Sequence, residues 1–238
     1  MKTLKTKTKT LIKSIPFFTQ VARIIFQKWN KSHIPFVNSE RYWVDRYNFG
    51  GNSGSGSYGK LMLFKANIIN DFVMQQGIKS VIEYGCGDGN QIKEARYSFY
   101  IGFDVSNKAL ELCKEKCFGD NTKTFKLMKD YNGETSQLTL SLDVIYHLVE
   151  DNIYEDYMRR LFVSAENFVI IYSSNNIDNT EWQTPHIKHR KFTEWVQQNE
   201  PHWKLISNIP NKYSPNGIEN DNSSAEFFIY EKLTNSIK

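Results

Sequence analysis

The segment VIEYGCGDG, residues 81–89, decides the fold of this chain. A short apolar run ends in an acid, Glu83, and glycines then occupy every second position, at 85, 87 and 89. Glycine lets the backbone turn tightly and lets a ligand lie against it without an intervening Cβ. The G-x-G-x-G pattern differs from the G-x-G-x-x-G of dinucleotide binders, and the preceding acid suits a ligand with a positive charge at that end. The segment therefore predicts a strand followed by a ligand-binding turn.

A second acid ends the next apolar run, IGFD, 21 residues after Glu83. In a doubly wound sheet this acid, Asp104, lies beside the glycine turn and accepts two ribose hydroxyls. The structural alternative is that Asp104 caps the helix that follows. A glycine-rich turn alone is a weak signal, but its combination with both acids at this spacing is specific.

Short apolar strands alternate with helical segments from residue 78 onward. This alternation predicts an α/β fold, a Rossmann-like doubly wound and mostly parallel seven-stranded sheet with helices on both faces. Only loop separates the last two strands, which predicts an antiparallel hairpin at one edge. The predicted strands are 80–84, 99–104, 124–128, 140–146, 168–172, 204–209 and 226–231, and the predicted helices are 60–76, 90–97, 107–117, 154–165 and 191–198.

Charge divides the 238 residues into two parts. Residues 1–46 hold ten basic and two acidic residues, which leaves 20 basic and 24 acidic residues for 47–238. A basic arm attached to a mildly acidic body therefore explains the net charge of +4 better than a nucleic-acid-binding surface does. We expect an N-terminal arm over residues 1–59 and one domain over 60–238.

The arm contains two features of its own. Apolar residues recur every three or four positions over residues 11–29, which predicts an amphipathic helix as an N-terminal extension. Such a helix either contacts an anionic membrane or a partner, or packs on the body with its lysines in water. The Gly/Ser-rich stretch 49–59 is either a flexible linker or, because aromatic residues flank it, a loop that covers a ligand. No apolar run reaches the length of a membrane span, and three cysteines fit reduced thiols, so we expect a cytoplasmic protein.

Residues 60–232 resemble the class I S-adenosylmethionine-dependent methyltransferases, on the glycine turn and the acids quoted above. The resemblance implies S-adenosyl-L-methionine as cofactor and S-adenosyl-L-homocysteine as product. It also implies roles for individual residues. The cofactor turn consists of Glu83, Gly85, Cys86, Gly87 and Gly89. Asp104 binds the ribose, Val105, Asp130 and Tyr131 contact the adenine, and Asp143 lies near the methionine part, whereas Tyr58 and Gly59 belong to the loop that closes over the cofactor.

The methyl acceptor is predicted from the residues after the fourth strand, DVIYHL, 143–148. This segment lacks the Asn/Asp-Pro-Pro-aromatic signature of amino-directed DNA methyltransferases, and no Pro-Cys supports a cysteine nucleophile. His147 is a fit general base for an oxygen acceptor, and the alternative is a helix cap. His186, in the basic stretch 185–192, is the alternative base, in a clamp for an acidic acceptor or in a solvated helix start. Metal-dependent relatives carry a second acid where this chain has Tyr146, so no metal is predicted.

The functional prediction is O-methylation of a small acceptor in bacterial surface-glycan biosynthesis. The acceptor is expected to be a sugar, phosphorylated or nucleotide-linked. The glycan part rests on a much less specific resemblance, that of residues 43–47 and the Gly/Ser-rich stretch. Two alternatives remain: an RNA 2′-hydroxyl methyltransferase that uses the basic arm as a phosphate tether, and a non-catalytic, cofactor-binding scaffold subunit.

Overall fold

A computed structural model describes residues 34–180, 184–213 and 223–233 of the chain. The amphipathic helix predicted over residues 11–29 lies outside the described residues. Within the described ranges, no helix is long and apolar enough to cross a membrane.

Helices and strands alternate along most of the described chain. The helices are α1 (Ser39–Asn48), α2 (Gly59–Gln75), α3 (Asn107–Lys116), α4 (Asp151–Val163) and α5 (Phe192–Asn199). The strands are β1 (Ser80–Tyr84), β2 (Phe99–Asp104), β3 (Lys123–Leu127), β4 (Ser136–Leu142), β5 (Ala165–Ser173), β6 (Trp203–Ile209) and β7 (Glu226–Lys232). Four 3₁₀ turns occupy Ser55–Ser57, Gln91–Glu94, Met128–Asp130 and Ile145–His147.

The seven strands form one sheet in the order β3-β2-β1-β4-β5-β7-β6. The first five are parallel, and β7 runs antiparallel to both of its neighbours. In the register of the central strands, Glu83 lies beside Gly102 of β2 and Leu140 of β4. The predicted sheet and its antiparallel edge hairpin are confirmed, and the carboxyl ends of the parallel strands meet at one edge.

Apolar side chains cover both faces of the sheet. One cluster contains Val81 with residues of α2 and α3, such as Ile69 and Cys113. The other contains Ile82 with residues of α4 and α5, such as Met158. Since successive residues of a strand point to opposite faces, the neighbours Val81 and Ile82 belong to different clusters. This arrangement is the doubly wound layering that the sequence predicts.

The helix predicted over residues 90–97 is wrong, because only the 3₁₀ turn Gln91–Glu94 forms there. Ala95 is already extended, with φ −79° and ψ 137°. Ile92 and Tyr97 are both buried. Residues five apart do not share a face of a helix, so the extended backbone after the turn allows both side chains to reach the core.

The predicted end of the fourth strand is also wrong. β4 ends at Leu142 rather than at residue 146, and the chain then forms the 3₁₀ turn Ile145–His147. Asp143 interrupts the strand with φ +60°, a left-handed conformation that no strand continues through. His147 consequently lies at the end of this 3₁₀ turn and not directly after the strand.

Candidate active site

A cavity of about 670 Å³ opens at the carboxyl ends of β1, β2 and β4. Its volume is in the range of small-molecule sites, and its position is where parallel α/β sheets bind their ligands. Seven of the predicted site residues line it: Gly85, Gly87, Asp104, Val105, Tyr131, Asp143 and His147.

The glycine turn is fastened to the end of β2. The amides of Gly85 and Cys86 both donate to the carbonyl of Phe103, at 2.7 and 3.0 Å. Gly85 and Gly87 have φ values of +82° and +61°, which side chains rarely tolerate. A Cβ on Gly87 would overlap the hydroxyl of Ser53, so the absence of a side chain here is also what admits the neighbouring loop.

Asp104 combines burial with unused acceptor capacity. Its Oδ2 accepts a hydrogen bond from the amide of Gly87 at 3.0 Å, and its Oδ1 accepts one from Ser106 at 2.9 Å. Burial raises the pKa of Asp104 to about 6, against the effect of these amide bonds. Each carboxylate oxygen can accept a second hydrogen bond. The carboxylate can therefore receive two hydroxyl groups of a ligand in the cavity.

Three predicted residues of the cofactor turn, Glu83, Cys86 and Gly89, support it without lining the cavity. The carboxyl of Glu83 is buried and accepts a hydrogen bond from the hydroxyl of Tyr100 at 2.7 Å. Burial raises the pKa of Glu83 to about 7. A Cβ on Gly89 would lie 2.9 Å from the sulfur of Cys113, so α3 packs directly under the turn.

Four other predicted site residues also lie off the cavity wall. The hydroxyl of Tyr58 donates to Asp88 at 2.5 Å, and Gly59 begins α2. Asp130 is exposed on its 3₁₀ turn, although its neighbours in sequence line the cavity. His186 stacks on the ring of Tyr42, with centroids 4.2 Å apart.

The Gly/Ser-rich loop packs on the glycine turn. The hydroxyl of Ser53 accepts a hydrogen bond from the amide of Asp88 at 3.0 Å and lies 2.9 Å from the hydroxyl of Tyr47. The side chain of Asn90 donates to the carbonyl of Ser57 at 2.7 Å. Ser53 lines the cavity. These contacts favour a ligand-covering loop over a free linker.

His147 is an uncharged base on the cavity wall. Its Nδ1 lies 3.1 Å from the backbone carbonyl of His186. A carbonyl only accepts, so Nδ1 carries the proton and Nε2 has the free lone pair. Nε2 has no hydrogen-bond partner among the described residues. Burial lowers the pKa of His147 to about 4, which keeps the imidazole neutral around pH 7.

Sequence reasoning missed that α1 and α4 form much of the cavity wall. Glu40, Trp43 and Tyr47 of α1 line it, as do Asp156 and Arg160 of α4. The aromatic residues before the Gly/Ser-rich stretch were the available signal for α1.

Contacts around Ser39 hold the start of α1 against the segment that enters α4. The amide and the hydroxyl of Ser39 donate to the carboxylate of Glu150 at 3.0 and 2.6 Å, and the amide of Val149 donates to the hydroxyl of Ser39 at 2.9 Å. These partners are more than 100 residues apart, and no local pattern marks them.

The basic stretch after β5 does not form a clamp at the cavity. Lys188 and Arg190 both form ion pairs with Asp151, at 2.6 and 2.7 Å, and neither lines the cavity. His189 bonds to the hydroxyl of Ser174 at 2.6 Å. In the described part of the chain, no three His, Cys, Asp or Glu side chains are grouped so as to hold a metal ion.

No protein-family model and no curated protein matches the sequence. Solved structures do match the fold. The N-methyltransferase NodS from Bradyrhizobium japonicum WM9, in complex with S-adenosyl-L-homocysteine, aligns with a TM-score of 0.67 at 9% identity, over 83% of this chain and 100% of that one.

Two further structures have a TM-score of 0.55. Magnesium protoporphyrin IX methyltransferase (ChlM) from Synechocystis PCC 6803, with bound S-adenosylmethionine, is 13% identical and aligns over 87% of this chain and 90% of its own. The methyltransferase domain of the bacterial CtHen1-C is 16% identical and aligns over 71% and 97%. At such identities the likeness concerns the fold: this chain has the fold of the class I S-adenosylmethionine-dependent methyltransferases.

We expect Gly87→Ala to release the Gly/Ser-rich loop, because the new Cβ would overlap Ser53 and lie 3.0 Å from the hydroxyl of Tyr47. Hydrogen exchange at the amides of residues 50–57 should become faster. Gly133→Ala is the matched control, since Gly133 also has a positive φ, +84°, but no atom within 4 Å of the added Cβ. Both variants carry a backbone strain of about 1–2 kcal/mol. Equal loop exchange in the two variants would contradict the packing of Ser53 on Gly87.

The low pKa of His147 predicts a pH-dependent contribution to stability. The folded pKa of about 4 lies below the unfolded value of 6.5, so the contribution is complete above pH 6.5 and is lost as the pH falls towards 4. Its upper limit is about 3 kcal/mol. The free energy of unfolding in urea should therefore decline less between pH 7 and 4.5 in His147→Gln than in the parent chain. His202→Gln, at an exposed histidine, is the control and should follow the parent. Parallel curves for the parent and His147→Gln would refute the shift.

Proposed function

We propose that this chain is an S-adenosylmethionine-dependent methyltransferase that methylates a hydroxyl group of a small acceptor. The observation that carries the proposal is one cavity that contains both a ribose-type acceptor, Asp104 beside the glycine turn, and an uncharged base, His147. The fold shared with solved methyltransferases supports it.

The residues on the cavity wall fit the cofactor in three places. Asp104 has acceptor capacity for the two ribose hydroxyls. Val105 and Met128 offer apolar surface for the adenine. Asp143 offers a carboxylate for the ammonium group of the methionine part. The bare backbone at Gly85 admits the side chain of Val144, another residue of the cavity wall, which a Cβ on Gly85 would overlap. When bound, the cofactor supplies an electrophilic methyl group on a sulfonium.

His147 takes the proton from the acceptor hydroxyl. Its Nδ1–H bond to the carbonyl of His186 fixes the tautomer and leaves Nε2 as the proton acceptor. A base with a pKa near 4 is weak, but the proton of a hydroxyl becomes strongly acidic as its oxygen is alkylated. The ring of Trp43 meets His147 edge-on at 4.8 Å and restricts its orientation.

A small acceptor fits the cavity better than a nucleic acid does. The charged residues on its wall are of both signs, Glu40 and Asp156 against Lys129 and Arg160, and so do not form a basic groove. The acceptor that we propose is a sugar-type metabolite of bacterial surface-glycan assembly, phosphorylated or nucleotide-linked. Lys188 and Arg190 of the basic stretch are paired with Asp151, so they do not support a phosphate group on the acceptor.

Titration calorimetry with S-adenosyl-L-homocysteine tests the cofactor half of the proposal. The parent chain should bind, and Asp104→Asn should bind about 10- to 100-fold more weakly, because hydrogen bonds to a charged group contribute about 1.5–3 kcal/mol. Asp130→Asn is the matched variant: the exposed position of Asp130 predicts an unchanged affinity. No heat with the parent chain would refute the cofactor assignment. If Asp130→Asn alone binds more weakly, Asp130 contacts the adenine, as the resemblance implies, despite its exposed position.

Transfer of a labelled methyl group to metabolites of a cell extract tests the acceptor half. His147→Asn should keep its affinity for S-adenosyl-L-homocysteine and lose about 10²–10⁴-fold in turnover, as expected when a general base is removed. His186→Asn is the control, because His186 does not line the cavity. Mass spectrometry of the product identifies the methylated atom. A methylated nitrogen, or full turnover by His147→Asn, would contradict the proposed chemistry.

A further inference from the structure

Lys65 is a buried cation in the middle of α2. Only 1% of the residue is exposed, although a lysine ammonium is costly to remove from water unless it is paired. Its Nζ donates to Oδ2 of Asp143 at 2.6 Å and lies 5.3 Å from the centre of the Tyr172 ring. Lys65 itself does not line the cavity, whereas Asp143 does. The ion pair therefore lies immediately behind the cavity wall.

Asp143 is held from behind at both carboxylate oxygens. Lys65 binds Oδ2, and the hydroxyl of Tyr146 donates to Oδ1 at 2.9 Å. The backbone amide of Asp143 still bonds to the carbonyl of Tyr172 at 2.9 Å. Asp143 is also the non-glycine residue with a positive φ in the described ranges. A strained backbone of this kind persists only where the surroundings over-determine it, and these three contacts do so.

The Gly/Ser-rich loop reaches the same carboxylate. A Cβ on Gly56 would lie 2.8 Å from Oδ2 of Asp143, so the loop backbone rests directly against this oxygen. The position of the Asp143 carboxylate thus affects both the cavity wall and the packing of the loop that covers it.

We propose that Lys65 is a positioning residue, which balances the charge of the Asp143 carboxylate and holds it towards the cavity, where it binds the ammonium group of the methionine part of the cofactor. This inference rests on the proposed function. Each carboxylate oxygen retains one free lone pair for that ammonium group. Lys65 acts through Asp143 and makes no contact with the ligand.

The first test compares the parent chain with Lys65→Met by titration with S-adenosyl-L-homocysteine between pH 6 and 8. We expect the variant to bind at least tenfold more weakly at pH 6 and to recover affinity as the pH rises, because an unbalanced carboxylate takes up a proton more readily. The titratable groups around the pair are Glu83, Tyr146, His147 and Tyr172. All four are retained in both proteins, but Lys65 also lowers the pKa of Glu83, so the comparison is repeated in a Glu83→Gln background, where a difference that remains is due to the Asp143 carboxylate.

A second comparison answers the question even if Lys65→Met fails to fold. The double variant Lys65→Met/Asp143→Asn removes the pair as a unit, and Asp143→Asn removes only the carboxylate. Since Lys65 acts through that carboxylate, we expect both variants to bind S-adenosyl-L-homocysteine equally weakly. The double variant should also have the higher free energy of unfolding in urea, because it leaves no unpaired buried lysine.

Three results overturn the inference. The first is parent-like affinity and a parent-like pH profile in Lys65→Met. The second is a double variant that binds more weakly than Asp143→Asn, which would mean that Lys65 contributes independently of Asp143. The third is a double variant that binds as tightly as the parent, which would mean that no carboxylate is needed. All three require a parent chain that binds S-adenosyl-L-homocysteine. If the parent chain does not bind it at all, the proposed function itself fails, and this result separates that failure from a failure of the inference alone.

Discussion

The closure of the glycine turn onto the end of β2 is the constraint on which the site depends. Two amides of the turn bond to the carbonyl of Phe103, and a third, from Gly87, bonds to Asp104. These contacts bring the carboxyl ends of β1 and β2 together and hold the Asp104 carboxylate against the amide of Gly87. Because Gly87 has no Cβ, the hydroxyl of Ser53 can approach it closely. The Gly/Ser-rich loop before α2 therefore packs on the turn at this point. A side chain at Gly87 would disturb the turn, the loop and the cavity together.

The ionisable groups at the two ends of the cavity, Asp104 and His147, are affected by burial in different ways. At the β2 end, burial and amide bonds act on Asp104 in opposite directions, and its pKa stays within reach of neutral pH. At the far end, burial keeps His147 uncharged, and a backbone carbonyl fixes its tautomer. A cationic ligand would therefore meet acidic groups and a neutral imidazole, with no fixed positive charge from this histidine. The buried ammonium of Lys65 is separated from the cavity by the carboxylate that it balances.

The parts of the fold that local patterns encode were predictable: the glycine turn, the acid at the end of β2 and the mostly parallel sheet implied by the alternation of strands and helices. The misplaced end of β4 shows what local patterns lack. Asp143 leaves the strand conformation because of partners that include Lys65, 78 residues earlier in the chain. The start of β4 was also missed, because Thr139 is polar, yet its buried hydroxyl donates to the carbonyl of Leu161. Likewise, the carboxyl of Glu83 bonds to Tyr100, a residue of the next strand, and does not line the cavity, and no local pattern indicates that pairing.

The insertion of β7 between β5 and β6 has a consequence for synthesis on the ribosome. β6 is made before β7, yet β7 is the strand that it pairs with. Until residues 226–232 have emerged, the nascent chain therefore exposes one open edge on β5 and an unpaired β6. Open strand edges are sites of aggregation, and long-range pairing is slow to form. β7 is thus the strand that completes the sheet, and a chain released before residues 226–232 are made would leave the edge of β5 uncovered.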